Sequence, residues 1–267
     1  DVDSVCVERR EGCGPEISLQ ELRQIAFPSA PTGTVRLVRD AEYAVMTDCP
    51  QLDLPLVRVV MEQLTRELRR LFPFLRPPSR PAVLLVFARP EEYRAFPMRI
   101  AQQMGSVARE PTSDGYTVVG VATSWFDPQK GSLRPVYFHE FVHAWLSQAG
   151  GLVCEGHWLH EAVANYLQLK LFPQSGFEEL ARRSFEQGAA RPLRELCSAQ
   201  PVAISDYWQL VMVFRMLVSK APYSERLPKL FEAARAHSSF DLGLYLTEVF
   251  GVDWDQFEAD WAAYCRQ

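Results

Sequence analysis

The run PVYFHEFVHAWLSQAGG, residues 135–151, is where a strand-rich chain turns helical and where its most reactive side chains gather. Ser132 stands as an N-cap, Pro135 suits a first helical turn, and Gly150-Gly151 supplies the stop, so a helix is predicted over 135–148. Phe138, Val142, Trp145 and Leu146 bury its remaining faces. Inside it lies His139-Glu140-Phe141-Val142-His143. Helix residues four apart project from one face, so both imidazoles can reach a single ion about 2.0–2.1 Å from each nitrogen. Glu140 is offset by one position, out of easy ligand reach, and can hold a water at that ion and take its proton. The plain alternative is an amphipathic helix with two half-exposed histidines. The pentapeptide alone is short, and its weight comes from the helix signals around it.

A second helix follows the Gly-Gly break. Trp158-Leu159-His160-Glu161-Ala162-Val163-Ala164-Asn165-Tyr166 places one carboxylate, Glu161, among Leu159, Ala162, Val163, Tyr166 and Leu167, and Pro173 closes the helix. A catalytic zinc takes three protein ligands and leaves one position open, and Glu161 completes that set with His139 and His143. His157 and His160 are rival third ligands. Asn165, one turn on from Glu161, is expected to hydrogen-bond a ligand histidine and fix its ring.

Upstream, residues 1–33 hold few periodic apolar positions and many turn formers, which reads as an irregular extension with one short helix at 19–25. Val35, Leu37, Tyr43 and Val45 alternate as short strands do. Residues 54–71 carry apolar positions at helical spacing, prolines 73, 77, 78 and 81 end that helix, and 82–87 is a continuous apolar run typical of a buried strand. A helix at 91–103 interrupted by Pro97, and one strand over 116–124, complete this half. Beyond 171, helices are predicted at 177–188, 207–220, 225–236, 240–250 and 254–265. A sheet-bearing half followed by a helical half, without alternating βαβ units, gives an α+β class with three segments: 1–33, a sheet and metal-helix part at 34–172, and a helical part at 173–267.

Composition narrows the function. Of 267 residues, 48% are hydrophobic and 23% charged, the make-up of a globular protein, and a net charge of −5 lacks the basic stripe that nucleic acid requires. No membrane span is expected, since the most apolar stretch, 210–218, is short and cut by Arg215. Six cysteines without a CxxC pair (Cys6, Cys13, Cys49, Cys154, Cys197, Cys265) argue against a cysteine zinc cluster and are compatible with three disulfides. Together with a first residue that is not Met, they lead to the expectation of a mature, exported protein.

The two histidines, the intervening glutamate and Glu161 in its WLHEAVANY setting resemble the gluzincin metallopeptidases. The layout from about residue 34, with its strand–helix–strand lead-in and a tail opening on SDYWQLVMVFRMLV, is closest to the peptidase-MA-like bacterial families. The resemblance covers most of the chain in layout, while the two metal motifs alone are specific. It implies a thermolysin-like core binding one zinc ion through His139, His143 and Glu161, with Glu140 as general base. Tyr207 matches the tyrosine that stabilises the oxyanion in the aminopeptidase branch, with His237 a weaker candidate for the same task. Asn165 occupies the position of an aspartate in thermolysin-like enzymes. The Gly-x-Met-Glu-Asn stretch that holds a free amine in aminopeptidases does not precede the zinc helix, which argues against that branch. Residues 116–124 match the strand that pairs with extended substrate in this group. The expected activity is therefore zinc-dependent hydrolysis of a peptide or protein substrate. A catalytically silent, zinc-containing module that binds proteins is the competing class, and hydrolysis of a non-peptide amide is a third reading.

Overall fold

Six consecutive apolar residues with no turn former among them can be buried on both sides only at the centre of a covered sheet. In the computed structural model, which describes residues 17–31, 33–78, 80–105, 107–118, 120–152, 157–237 and 239–267, Ala82–Phe87 takes that place. The elements of the first part are α1 (Leu19–Ala26), β1 (Arg36–Arg39), β2 (Tyr43–Thr47), α2 (Leu54–Leu71), β3 (Ala82–Phe87), α3 (Pro90–Gln103), β4 (Gly115–Val118), β5 (Val121–Trp125) and α4 (Pro135–Gly150). The helices that follow are α5 (Trp158–Leu171), α6 (Phe177–Glu186), α7 (Leu193–Leu196), α8 (Tyr207–Ser219), α9 (Leu227–His237), α10 (Leu246–Phe250) and α11 (Trp254–Cys265). The class is α+β, with one mixed five-stranded sheet.

The strand order is β1-β2-β3-β5-β4, antiparallel at both margins and parallel across β2, β3 and β5. Two parallel pairs therefore sit at the centre, reached through α2 and α3, although the sequence shows no regular alternation of strand and helix. Successive strand residues face opposite sides of a sheet. Ala44, Met46, Val83, Leu85, Phe87, Tyr116, Val118 and Val121 share one face, where Leu22 and Ala26 of α1 and Tyr93, Phe96 and Ile100 of α3 cover them. Thr117, of opposite parity, points to the other face and reaches α4.

The single strand expected over 116–124 is two. Val118 pairs with Val121 across a tight turn in which Gly120 has φ +71°, a left-handed value that favours glycine, so the β-branched run folds back as a hairpin. Pro97 does not interrupt α3 as anticipated. Proline cannot donate to the carbonyl four residues back, and here that carbonyl, Tyr93 O, accepts the Tyr116 hydroxyl at 3.3 Å. The helix expected over 240–250 shrinks to α10, and α7 was not anticipated.

The chain divides into two units. Among the described residues, one holds those from 17 to 68 together with 76–149, the other 69–75 with those from 150 to 267. This differs from the boundary after residue 172 read from the sequence. Within the second unit α5 packs along α8, with the Tyr166 and Phe214 rings 5.2 Å apart, and Phe72 sits 6.3 Å from Phe214 and 4.9 Å from Phe231. The helix bearing Glu161 thus shares its core with the helical tail.

Cys49, Cys197 and Cys265 are free and buried. All six cysteines are therefore not joined in three bridges; Cys6, Cys13 and Cys154 lie outside the described residues, as does most of the 1–33 extension. Burial pushes the Cys265 thiol up to about 12 and raises Cys197 as well, so both are neutral and pack as small apolar groups. Among the described residues no helix is long and apolar enough to cross a membrane.

Phe87 is fully buried, with ring centres 5.0 Å from Phe27 and 5.6 Å from Phe96. Phe87→Ala should lower stability by about 3–5 kcal/mol, against about 0.5 kcal/mol or less for Leu37→Ala on β1, read from denaturant unfolding midpoints. Equal losses would show that β3 is not the centre of the core.

Candidate metal centre

Helices carrying charged side chains normally turn them to water, and α4 does not. Every residue from Tyr137 to Leu146 is buried, histidines and glutamate included. Its start is pinned from the preceding turn. Arg134, itself buried, donates to Trp125 O at 2.6 Å and pairs with Asp114 at 2.5 Å, and its guanidinium lies 5.0 Å from the Trp125 ring centre. Tyr137 Oη donates to the same Trp125 carbonyl at 3.0 Å. Ser132, expected to cap this helix, instead accepts the Asp53 N–H at 2.9 Å, one residue before α2. Polar ties to β5 therefore do the work assigned to a local cap.

The two imidazoles meet as their four-residue spacing requires. His139 Nε2 and His143 Nε2 are 3.1 Å apart, with ring centres at 4.8 Å and planes at 78°. Two nitrogens bound tetrahedrally to zinc would be separated by about 3.3 Å, so a small shift admits an ion. Glu161 joins them: one ligand atom from each of the three residues lies within 4.8 Å of the others, and all three side chains are buried. Burial of a carboxylate is costly unless a cation or hydrogen bonds offset the lost hydration. Two imidazole nitrogens and a carboxylate oxygen form the donor set of a three-protein-ligand site with an open position, so this buried group can hold a metal ion.

Asn165 is buried beside this group, though its bonding differs from expectation. Its Nδ2 donates to Glu161 O at 2.8 Å and to Glu161 Oε2 at 3.4 Å, steadying the carboxylate where a histidine partner was anticipated. One turn of helix separates the two residues, which brings the side-chain amide within reach of the carbonyl four residues back.

Glu140 is also buried, and β4 supplies its surroundings. Thr117 Oγ1 donates at 2.9 Å to Glu140 Oε2 and lies 2.9 Å from Glu140 O. At Gly115 a Cβ would stand 2.6 Å from Val136 Cγ2 and 2.8 Å from Glu140 Cγ, so only glycine lets α4 approach this closely. Neither Gly115 nor Thr117 stands out in the sequence. No local motif marks them, because their role follows from strand–helix packing across more than twenty positions.

The remaining candidates stand elsewhere. Tyr207 opens α8 as expected and is half-buried; Asp206 before it pairs with Arg191 at 2.9 Å. It lies outside the three-residue ligand group. The rival ligands His157 and His160 both pack on Phe240, stacked at 5.4 Å and edge-on at 5.5 Å. His237 is exposed and stacks on Tyr245 at 5.6 Å.

No protein-family model matches the chain, and no curated protein and no solved structure matches it either.

Burial against Phe240 holds the His157 pKa below its ordinary 6.5, because desolvation penalises the charged ring. The unfolded chain then takes up the proton first as pH falls. The stability that His157 contributes as a neutral ring is present above 6.5 and is lost as pH drops below it towards the lowered folded value. Unfolding free energies of His157→Gln should decline less steeply than wild type on the acid side of 6.5. Parallel curves would mean that this ring titrates alike in both states.

Proposed function

We propose that the protein is a single-zinc peptidase of the gluzincin type, with His139, His143 and Glu161 as metal ligands and Glu140 as general base. The observation that carries this reading is the convergence of three buried ligand atoms, with a buried carboxylate on the residue next to one of the ligand histidines. A module that only bound zinc would have no use for that fourth group.

Zinc held there would supply Lewis acidity, polarising a scissile carbonyl and making water easier to deprotonate. The side chains of this chain account for the rest. Glu140, tied at Oε2 by Thr117, accepts the proton of the attacking water on its carboxylate and passes it to the departing amine nitrogen. Asn165 restrains the Glu161 carboxylate. Tyr207 is the proposed phenol donor to the oxyanion, carried on a helix that packs along α5. An extended peptide is the proposed substrate. β4 is a marginal strand of the sheet, beside which an extended peptide would add through main-chain hydrogen bonds that need no side-chain selectivity.

The test is metal analysis together with cleavage of casein and of a mixed peptide library. Wild type and Glu140→Gln should each carry about one zinc per chain, while turnover by the variant falls on the order of 10²- to 10⁴-fold. Zinc in the wild type with no cleavage of any peptide would favour the protein-binding module.

A further inference from the structure

We propose that Thr117 is a positioning residue for Glu140, holding the carboxylate in the one orientation from which it reaches the reacting water; this rests on the reading of Glu140 as the base. Thr117 is 4% exposed and sits on β4, and its hydroxyl faces two oxygens of the same glutamate. Oγ1 is 2.9 Å from Oε2 and 2.9 Å from the main-chain O of Glu140. The contact ties the tip of the Glu140 side chain to its own backbone through one other residue. A hydrogen bond to a buried carboxylate is stronger than one between neutral groups, because the acceptor carries charge.

The stem of Glu140 is held by the same strand. Residues two apart on a strand share a face, so Gly115 and Thr117 both turn towards α4. Glu140 Cγ lies where a Cβ on residue 115 would be only 2.8 Å away. Bare backbone thus meets the stem and a hydroxyl meets the tip. The strand itself is braced against movement: Ser113 Oγ donates to Gly115 O at 2.6 Å, Thr123 Oγ1 to Tyr116 O at 2.8 Å and Ser124 Oγ to Asp114 O at 2.7 Å. A threonine serving β4–α4 packing alone would have its need met by the main-chain carbonyl. The second contact, to the carboxylate, is the one that acts on the base.

The experiment compares Thr117→Val, which keeps the branched shape and removes the hydroxyl, with Thr117→Ser, which keeps the hydroxyl. Each is measured for zinc content, Tm, and kcat and KM on a fluorogenic peptide drawn from a casein cleavage site, and each variant is crystallised. For the valine variant, kcat should fall about 10- to 100-fold with KM within about twofold, the cost of a misplaced catalytic group. Zinc content and Tm should hold, and serine should restore most of the rate. A valine variant with the wild-type kcat overturns the proposal. So does a rate loss that only tracks a fall in Tm or zinc content, which would mark a structural threonine. Should the wild type cleave nothing, the peptidase reading fails on its own, and the crystal structures decide for Thr117. A Glu140 carboxylate displaced in valine and retained in serine supports the positioning role; an unmoved one overturns it. Thr117→Ala takes the place of valine if that variant does not fold.

Discussion

A buried carboxylate and two buried imidazoles cannot share one small volume without something to organise their charge and lone pairs. His139 and His143 bring their Nε2 atoms to 3.1 Å, and Glu161 places an oxygen within 4.8 Å of both. Water cannot offset the lost hydration once these groups are enclosed, so the arrangement makes physical sense around a cation. The other features of α4 follow from that demand. The helix is enclosed along ten residues, which keeps the imidazoles in a low-dielectric setting, and its entry is pinned to β5 by Arg134 and Tyr137. Rotation of α4 by one residue would swing both histidines away together.

The sheet contributes more than a scaffold. Its β4–β5 hairpin brings Gly115 and Thr117 against the glutamate between the two histidines, one by having no side chain and the other by having a hydroxyl. A strand at the margin of the sheet, with its backbone braced by three side-chain hydrogen bonds, is a firm surface against which the Glu140 side chain is set.

The parts legible in the sequence are those whose signals are local. Residues 54–71 and 82–87 form the helix and strand expected of them, and His139 and His143 declare themselves by a spacing that any helix converts into a shared face. Glu161 was legible because a lone carboxylate in an apolar run is costly without a purpose. What escaped depends on distant partners. Pro97 stays inside a helix because Tyr116, nineteen positions on, takes the orphaned carbonyl. The 116–124 run reads as one strand because its residues favour extended backbone throughout, and Gly120 alone announces the turn. Ser132 serves the start of α2 rather than its own helix, and Asn165 answers to the residue one turn back. Thr117 has no signature at all, since a strand threonine acquires its task only when α4 is laid across it.

The most direct measurement is anomalous diffraction at the zinc K-edge from crystals of the zinc-loaded protein. A single peak is expected, with His139 Nε2 and His143 Nε2 at about 2.0–2.1 Å and a Glu161 oxygen at about 2.0–2.2 Å. An ion bound by other side chains, or no peak where these three residues meet, would contradict the account.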